Sequence, residues 1–357
     1  MYSPNLRYLF IVANPRSLWP QLSLMKYLEA LGIPPLVICQ LEADRSTVPS
    51  HISNRMLVNR MLVNSMPSDF DVAFSTSAGL DDFERDCLIK SREMGKVNIK
   101  LHNSMSTNNT IENPNYTTER VDGRIHGICT REQRAIRHFQ KFLPDVFYLN
   151  TGDPDWDYFQ TQEFKGEVDQ VHKWWGMKLL LICSPFTEEL GEFEVEFWKL
   201  VIDWAERIGF RVVIRSHPGR ATYVPKELRP FLHNEIHRHV IFAAASHVLV
   251  ANCSTVIGEC MLLGTKVGSF PMVPHNGKYG KHDWVDDPVS WHNITAKQIG
   301  KDLLSYLPYV HTRGTLNEFL SSPNPLISQE QMDSIWGWPR VACYSEYLFK
   351  CVEEKVS

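Results

Sequence analysis

Two short clusters carry residue types suited to a charged phosphate. In RVVIRSHPGR (211–220), the apolar run Val212, Val213, Ile214 leads directly into Arg215, His217 and Arg220, with Gly219 among them. In HVLVANCSTVIGEC (247–260), the run Val248, Leu249, Val250 leads into Ser254 and Thr255, with Glu259 one helical turn further on. Two guanidinium groups and an imidazole suit a diphosphate. A guanidinium fork matches phosphate oxygens, and each charge-assisted bond contributes about 1.5–3 kcal/mol. Arg215 and His217 share one face if the strand runs that far, and Gly219 lets backbone approach closely. Ser254 and Thr255 are good N-caps, and the helix they open directs free N–H groups and the positive end of its dipole toward an anion. Glu259 stands beside Cys260, Met261, Leu262 and Leu263. A carboxylate in such surroundings is costly unless it is paired or meets a ligand, and the vicinal hydroxyls of a ribose satisfy both oxygens. Together these residues read as a pocket for a nucleotide diphosphate.

A third candidate is His102, which directly follows the run VNIKL (97–101). As a general base it could deprotonate an acceptor hydroxyl, an effect of roughly 10²–10⁴-fold. The loop after it, to about Arg120, is rich in Asn, Thr and Ser; such long loops are commonly functional lids or disordered. The remaining histidines are scattered. HNEIHRH (233–239) lacks a carboxylate at a recognisable metal-site spacing and is assigned to the surface.

The elements that must position these groups alternate between strand and helix. Leu9–Ala13 reads as a buried strand, 19–31 as a helix stopped by Gly32, and PPLVICQ as a second strand, which makes a βαβ unit. No G-x-G-x-x-G follows the first strand, so a nicotinamide or flavin fingerprint is missing. The tandem NRMLV copies at 54–58 and 59–63 read as a short amphipathic helix. Strands follow at DVAFSTS (71–77), VNIKL and RIHGICT (124–130), and another at DVFYLN before the turn GDPDWD. Helices are expected at 81–93 and 131–142. A second series starts at KLLLICSPF (178–186). It runs through a helix at 188–208 ended by Gly209, the Arg211 strand, a short strand near Val240 and the 247–270 segment. Beyond Pro274 the sequence becomes loop-like, with helices expected at 295–307 and within 329–356.

This order predicts an α/β chain with two Rossmann-like lobes whose parallel sheets face a central cleft. The boundaries fall at 1–163 for an N-terminal acceptor domain, 164–177 for a linker and 178–335 for a nucleotide-donor domain. A C-terminal helical segment, 336–357, packs back on the first domain. Both polar clusters lie at the carboxyl ends of strands, where open α/β sheets bind ligands.

Composition narrows the function classes. With 357 residues the chain suits two domains, and 43% hydrophobic and 22% charged residues are ordinary globular values. A net charge of −4 without a dense Lys/Arg tract argues against nucleic acid as a partner. The eight cysteines form no C-x-x-C pair and sit mostly in apolar runs, which suits reduced thiols in the cytoplasm. The N-terminus MYSPNLRYLF lacks the charged start and cleavage site of a signal peptide. Lys173, Trp174 and Trp175 form a candidate interfacial patch, or else pack between the lobes.

The ordered set His102, GICTREQRAIRHFQKF, VFYLNTGDPDWD, KLLLICSPF, VVIRSHPGR and VANCSTVIGECMLLGTKV resembles GT-B glycosyltransferases. It is most similar to the branch with CDP-glycerol glycerophosphotransferases of teichoic acid synthesis and capsule polysaccharide transferases, over roughly residues 70–270. The resemblance implies His102 as catalytic base and His217 and Arg220 as pyrophosphate ligands. It implies Ser254 and Thr255 as further phosphate contacts and Glu259 as the ribose acid. Three departures stand out: Asn103 follows His102 where the family has Gly, Gly152-Asp153-Pro154 replaces Gly-Asn-Pro, and the segment from His217 to Ser254 is short.

The implied activity is transfer of a sugar or glycerol phosphate from a nucleotide-sugar or CDP-glycerol-like donor to a saccharide or lipid-linked acceptor. The implied setting is the cytoplasm, with peripheral contact at the inner membrane face. No cofactor or metal is expected, since Arg215, His217, Arg220 and the helix at Thr255 suit the leaving diphosphate. Asp155 and Asp157 are the nearest Asp-x-Asp spacing. Two alternatives remain: a non-hydrolysing nucleotide-sugar 2-epimerase, whose usual Ser-Gly-Gly contrasts with Ser254-Thr255-Val256, and a catalytically silent nucleotide-binding protein of the same fold.

Overall fold

A computed structural model describes residues 2–13, 15–40, 55–58, 63, 66–76, 82–102, 124–141, 143–184, 192–216, 224–251, 255–270, 307–308, 310, 313–322 and 328–357. The described residues divide into two compact units, 1–161 with 336–357, and 162–335.

In the first unit, β1 (Tyr8–Val12), β2 (Leu36–Gln40), β3 (Arg55–Val58), β4 (Val72–Ser75), β5 (Val97–Leu101), β6 (Gly127–Thr130) and β7 (Phe147–Asn150) form one sheet. Its order is β3-β2-β1-β4-β5-β6-β7. Every recorded pairing is parallel, as short apolar runs separated by helices demand. Helices α1 (Pro15–Ala30), α2 (Asp82–Glu93) and α3 (Gln133–Phe139) lie between strands. Val12, Phe10, Phe74 and Ile99 pack with Leu24, Met25 and Leu28 of α1 on one side of the sheet. Leu9, Ile11 and Ala73 pack with Phe83, Cys87 and Leu88 of α2 on the other. The alternation of faces along β1 is the two-residue period of a strand.

The second unit opens with α4 (Gln162–Trp175), followed by β8 (Leu179–Ser184), α5 (Glu192–Arg207), β9 (Arg211–Ser216), α6 (Arg238–Ala244), β10 (His247–Ala251), α7 (Thr255–Leu262) and β11 (Lys266–Phe270). Its parallel sheet has the order β11-β10-β8-β9. Trp198 of α5, fully buried, sits in a core with Ile182, Val212, Ile214 and Leu249. Helix α8 (Arg313–Ser321) adds Leu316, Phe319 and Leu320 to that core. Helix α9 (Gln329–Trp336) leads to the return, and α10 (Tyr344–Val356) then packs Leu348, Phe349 and Val352 into the first unit's core.

Three elements differ from the sequence expectation. Residues 55–58 of the first NRMLV copy form strand β3 beside β2, not a helix; the sheet edge supplies backbone partners that the local pattern did not show. Residues 164–177, read as a linker, are helical through Trp175, with Phe164 and Val171 buried two turns apart. Val240, read as part of a strand, lies in α6, where His239, Val240, Ile241 and Phe242 are all buried. Continuous burial cannot by itself separate a short buried helix from a strand. The loop 103–120 and the helix expected at 295–307 lie outside the described residues, except that Leu307 is described.

Candidate functional site

In the second unit, β8 lies at the centre of the sheet, with β9 on one side and β10 on the other. The chain therefore reverses direction across the sheet between β8 and β10, and the crevice beyond their carboxyl ends is the expected ligand position. Helix α7 opens at Thr255 immediately beyond β10. Glu259, in the next turn, is 2% exposed. Its Oε1 accepts from Nη2 of Arg238 at 3.2 Å, and its Oε2 lies 3.5 Å from Nε2 of His239. Arg238 Nε also donates to His239 Nε2 at 3.1 Å. Glu259 thus meets the requirement of a buried carboxylate with protein partners, before any ribose is considered. This corrects the assignment of 233–239 to the surface: His239 is 2% exposed, and the counter-charge comes from another element, so no spacing within HNEIHRH could show it.

Arg215 is half-buried near the end of β9, and its Nη1 donates to the carbonyl of Ile236 at 2.6 Å. Burial lowers its pKa, Arg238 adds to that effect, and Cys183 and Glu235 oppose it. Next to it, the Ser216 N–H donates to Asn234 Oδ1 at 3.2 Å, and Asn234 Nδ2 donates to Ser216 Oγ at 2.8 Å. The segment 234–238 is thereby fastened over the end of β9, which brings Arg238 to Glu259. Cys183, near the end of β8, feels both Arg215 and Glu259, and burial pushes its thiol up to about 12. The structure therefore gathers Arg215 and Glu259 of the predicted set and adds Arg238, His239 and Asn234. His217, Gly219, Arg220 and Ser254 lie outside the described residues, and of Thr255 only the backbone is described.

In the first unit, His102 directly follows β5 and is 5% exposed. Its N–H donates to the carbonyl of Cys129 at 2.8 Å, and its ring meets Phe139 edge-on at 4.8 Å. It lines a small recess with Cys129, Arg131, Thr151, Gly152 and Asp153. Sequence reasoning missed the ion pair in this wall. Arg131 Nη2 and Asp153 Oδ2 are 2.5 Å apart, with side chains 4% and 3% exposed. Asp153 also accepts from the Asp155 N–H at 3.0 Å, capping a short 3-10 helix (Pro154–Gln160). One carboxylate here serves a guanidinium and a helix end, where an amide could not supply the charge. Gly152 has φ +70, and a Cβ there overlaps the Tyr344 ring, so glycine is required at this turn.

Glu132 is the other group that the sequence did not reveal, since it read only as the start of a helix. It is fully buried, and burial raises its carboxyl well above the usual range despite Arg134, Arg131 and the Trp338 indole. Asp155 accepts from Ser23 Oγ at 2.8 Å, while Asp157 accepts from the Ser345 N–H at 2.9 Å and from the Tyr344 N–H. These two aspartates hold α1 and the start of α10. Among the described residues, no group of three or more His, Cys, Asp or Glu side chains is placed to hold a metal.

No protein-family model and no curated protein matches this sequence. Solved structures do match along nearly the whole chain. The UDP-GlcNAc 2-epimerase of Methanocaldococcus jannaschii is 9% identical at a TM-score of 0.61, covering 98% of this chain and 100% of that one. The glycotransferase of kitacinnamycin is 12% identical at 0.58, covering 99% and 100%. A UDP-glucose:anthocyanidin 3-O-glucosyltransferase, solved with UDP, is 10% identical at 0.51, covering 99% and 96%. Two parallel sheets with flanking helices and these neighbours define a GT-B fold. The CDP-glycerol branch is not among the likenesses shown.

Proposed function

We propose that the chain is a GT-B transferase that moves a sugar or glycerol phosphate from a nucleotide-activated donor to an acceptor hydroxyl. The observation that carries this reading is the gathering of Arg215, Arg238 and Glu259 at the strand ends flanking the switch between β8 and β10. In this reading Glu259 meets the ribose, and Arg215, His217, Arg220, Ser254 and the helix start at Thr255 meet the diphosphate. His102 acts as base toward an acceptor hydroxyl reaching into the recess beside Arg131 and Asp153. The acceptor is a saccharide or lipid-linked saccharide, and the chemistry needs no metal because helix dipole and basic side chains neutralise the leaving group.

A second reading is a nucleotide-sugar 2-epimerase, favoured by full-length likenesses to solved epimerases at TM-scores of 0.58 and 0.61. One experiment separates the two. CDP-, UDP- and GDP-linked compounds are screened for thermal stabilisation, and those that bind are incubated without acceptor. A transferase releases nucleotide slowly and accelerates when an acceptor is added. An epimerase produces the epimeric donor with no acceptor. Stabilisation by none of the compounds removes both readings. Activity abolished by EDTA and restored by magnesium or manganese removes the metal-free mechanism.

A further inference from the structure

The first unit's sheet has a switch point of its own. Strand β1 lies between β2 and β4, so the carboxyl ends of β1 and β4 bound the place where an open α/β sheet takes a ligand. Strand β4 ends there at Ser75, and Lys100 of β5 stands opposite Ser75 in register. The two side chains share the face that α2 covers. Asn98, two residues before Lys100, donates its Nδ2 to the Leu88 carbonyl of α2 at 2.8 Å. Leu101 and Leu348, which line the recess beside His102, pack on the other face with α1. Lys100 is 8% exposed, and Ser75 is fully buried. Among the described residues the Ser75 hydroxyl has no hydrogen-bond partner. Nothing among them accepts a hydrogen bond from the Lys100 ammonium, and no carboxylate comes within ion-pair distance of it. Glu84 of α2, the acid that acts on Lys100, has its Oε1 engaged by the Thr76 N–H at 2.7 Å. Burial lowers the Lys100 pKa in spite of Glu84.

We propose that Lys100 and Ser75 hold an oxyanion, the phosphate or carboxylate group of a small ligand, at the carboxyl ends of β4 and β5. An amine taken out of water without a partner costs free energy, and a ligand that brings the counter-charge offsets that cost. An ammonium beside a hydroxyl offers two donors to one oxygen centre, which suits a negatively charged oxygen and neither a cation nor a hydrocarbon. Glu84 opposes a second negative charge. The site therefore selects by direct charge-assisted hydrogen bonds to Nζ and Oγ, and not by net charge at a distance. The proposal concerns the first unit by itself and holds for a transferase or an epimerase alike.

Calorimetric titration of the full chain tests it, with inorganic phosphate, with glucuronate and, as the neutral control, with glucose. Phosphate or glucuronate binds and glucose does not, and which of the two anions binds identifies the source of the oxyanion. Lys100→Met, an apolar side chain of similar length, weakens that binding by about 10-fold or more, and Ser75→Ala, which leaves every charge in place, by about 3-fold or more. Thermal unfolding checks that each variant is folded, and Ser75→Ala decides alone if Lys100→Met is not. Phosphate bound only in the second unit is lost in Arg215→Met and kept in both first-unit variants, which overturns the proposal. So does a wild-type chain that binds neither anion, or one that binds glucose as tightly.

Discussion

The strand ends of the two units treat charge differently. In the first unit, the Arg131–Asp153 pair is almost fully buried, and the same turn is fixed by capping and by a glycine that Tyr344 and Pro339 crowd. In the second, Glu259 is buried but its partner Arg238 is 42% exposed, and Arg215 is half-buried on a backbone carbonyl. The first arrangement is closed and rigid, so its charges build a wall. The second has a cation already at water, which can exchange its partner for a ligand at small desolvation cost. In the proposed reading, that difference suits a donor at the second unit and an acceptor at His102's recess.

The comparison is broken most directly at Asp153. Asp153→Ala removes the buried carboxylate that faces Arg131 and lowers stability by about 3–5 kcal/mol, read from urea midpoints. Replacing both partners, Arg131→Met with Asp153→Leu, is expected to cost less than the single change. A double variant as unstable as the single one shows that the pair acts through other contacts.

A pH profile probes the second unit next. Burial first, then Lys266, lowers the pKa of His247 to about 4. The group is therefore neutral when folded and takes up a proton on unfolding below its ordinary value of about 6.5. Stability is complete above that value and falls as pH drops toward 4, by about 3 kcal/mol at the end of the window. His247→Gln should flatten this slope in unfolding measured across that window, and an unchanged slope assigns it to other groups.

The start of the chain offers a smaller effect. Glu353 of α10 accepts from the N–H groups of Asn5 at 2.5 Å and Leu6 at 2.9 Å, and from the Tyr2 and Tyr8 hydroxyls. Burial works against its charge, but these bonds outweigh it and hold the carboxyl below its ordinary value. The stabilisation is present above pH about 4.5 and is lost as pH falls through the lowered folded value. Glu353→Ala strands two backbone donors and lowers stability by about 2 kcal/mol at neutral pH. Thermal unfolding like that of the wild type shows that water replaces the carboxylate.

The smallest effect sharpens the functional side of the comparison. If Glu259 binds ribose, Glu259→Gln weakens a nucleotide donor by about 10-fold in calorimetry, equivalent to about 1.4 kcal/mol. His102→Ala should leave that affinity intact and lower turnover by ~10² or more. Donor affinity lost with His102 and kept with Glu259→Gln reverses the assignment of the two units.

The strands were legible in the sequence because a parallel sheet covered on both sides needs continuous apolar runs. LFIVA, LLLIC and VVI all read that way. Gly32 and Gly209 marked helix ends correctly, and they adopt φ +74 and +88. The α/β alternation and the type of fold followed from the order of these signals. What only the tertiary structure decided were the relations between distant positions. Glu259 is compensated by Arg238, Arg131 by Asp153, and the start of α10 by Asp157. Strand β3 and helix α6 also depended on their neighbours, because a short segment takes the backbone partners and burial that the sheet beside it provides. Periodicity reports which face of an element is apolar, but a buried charge is settled by whichever group the fold brings to it.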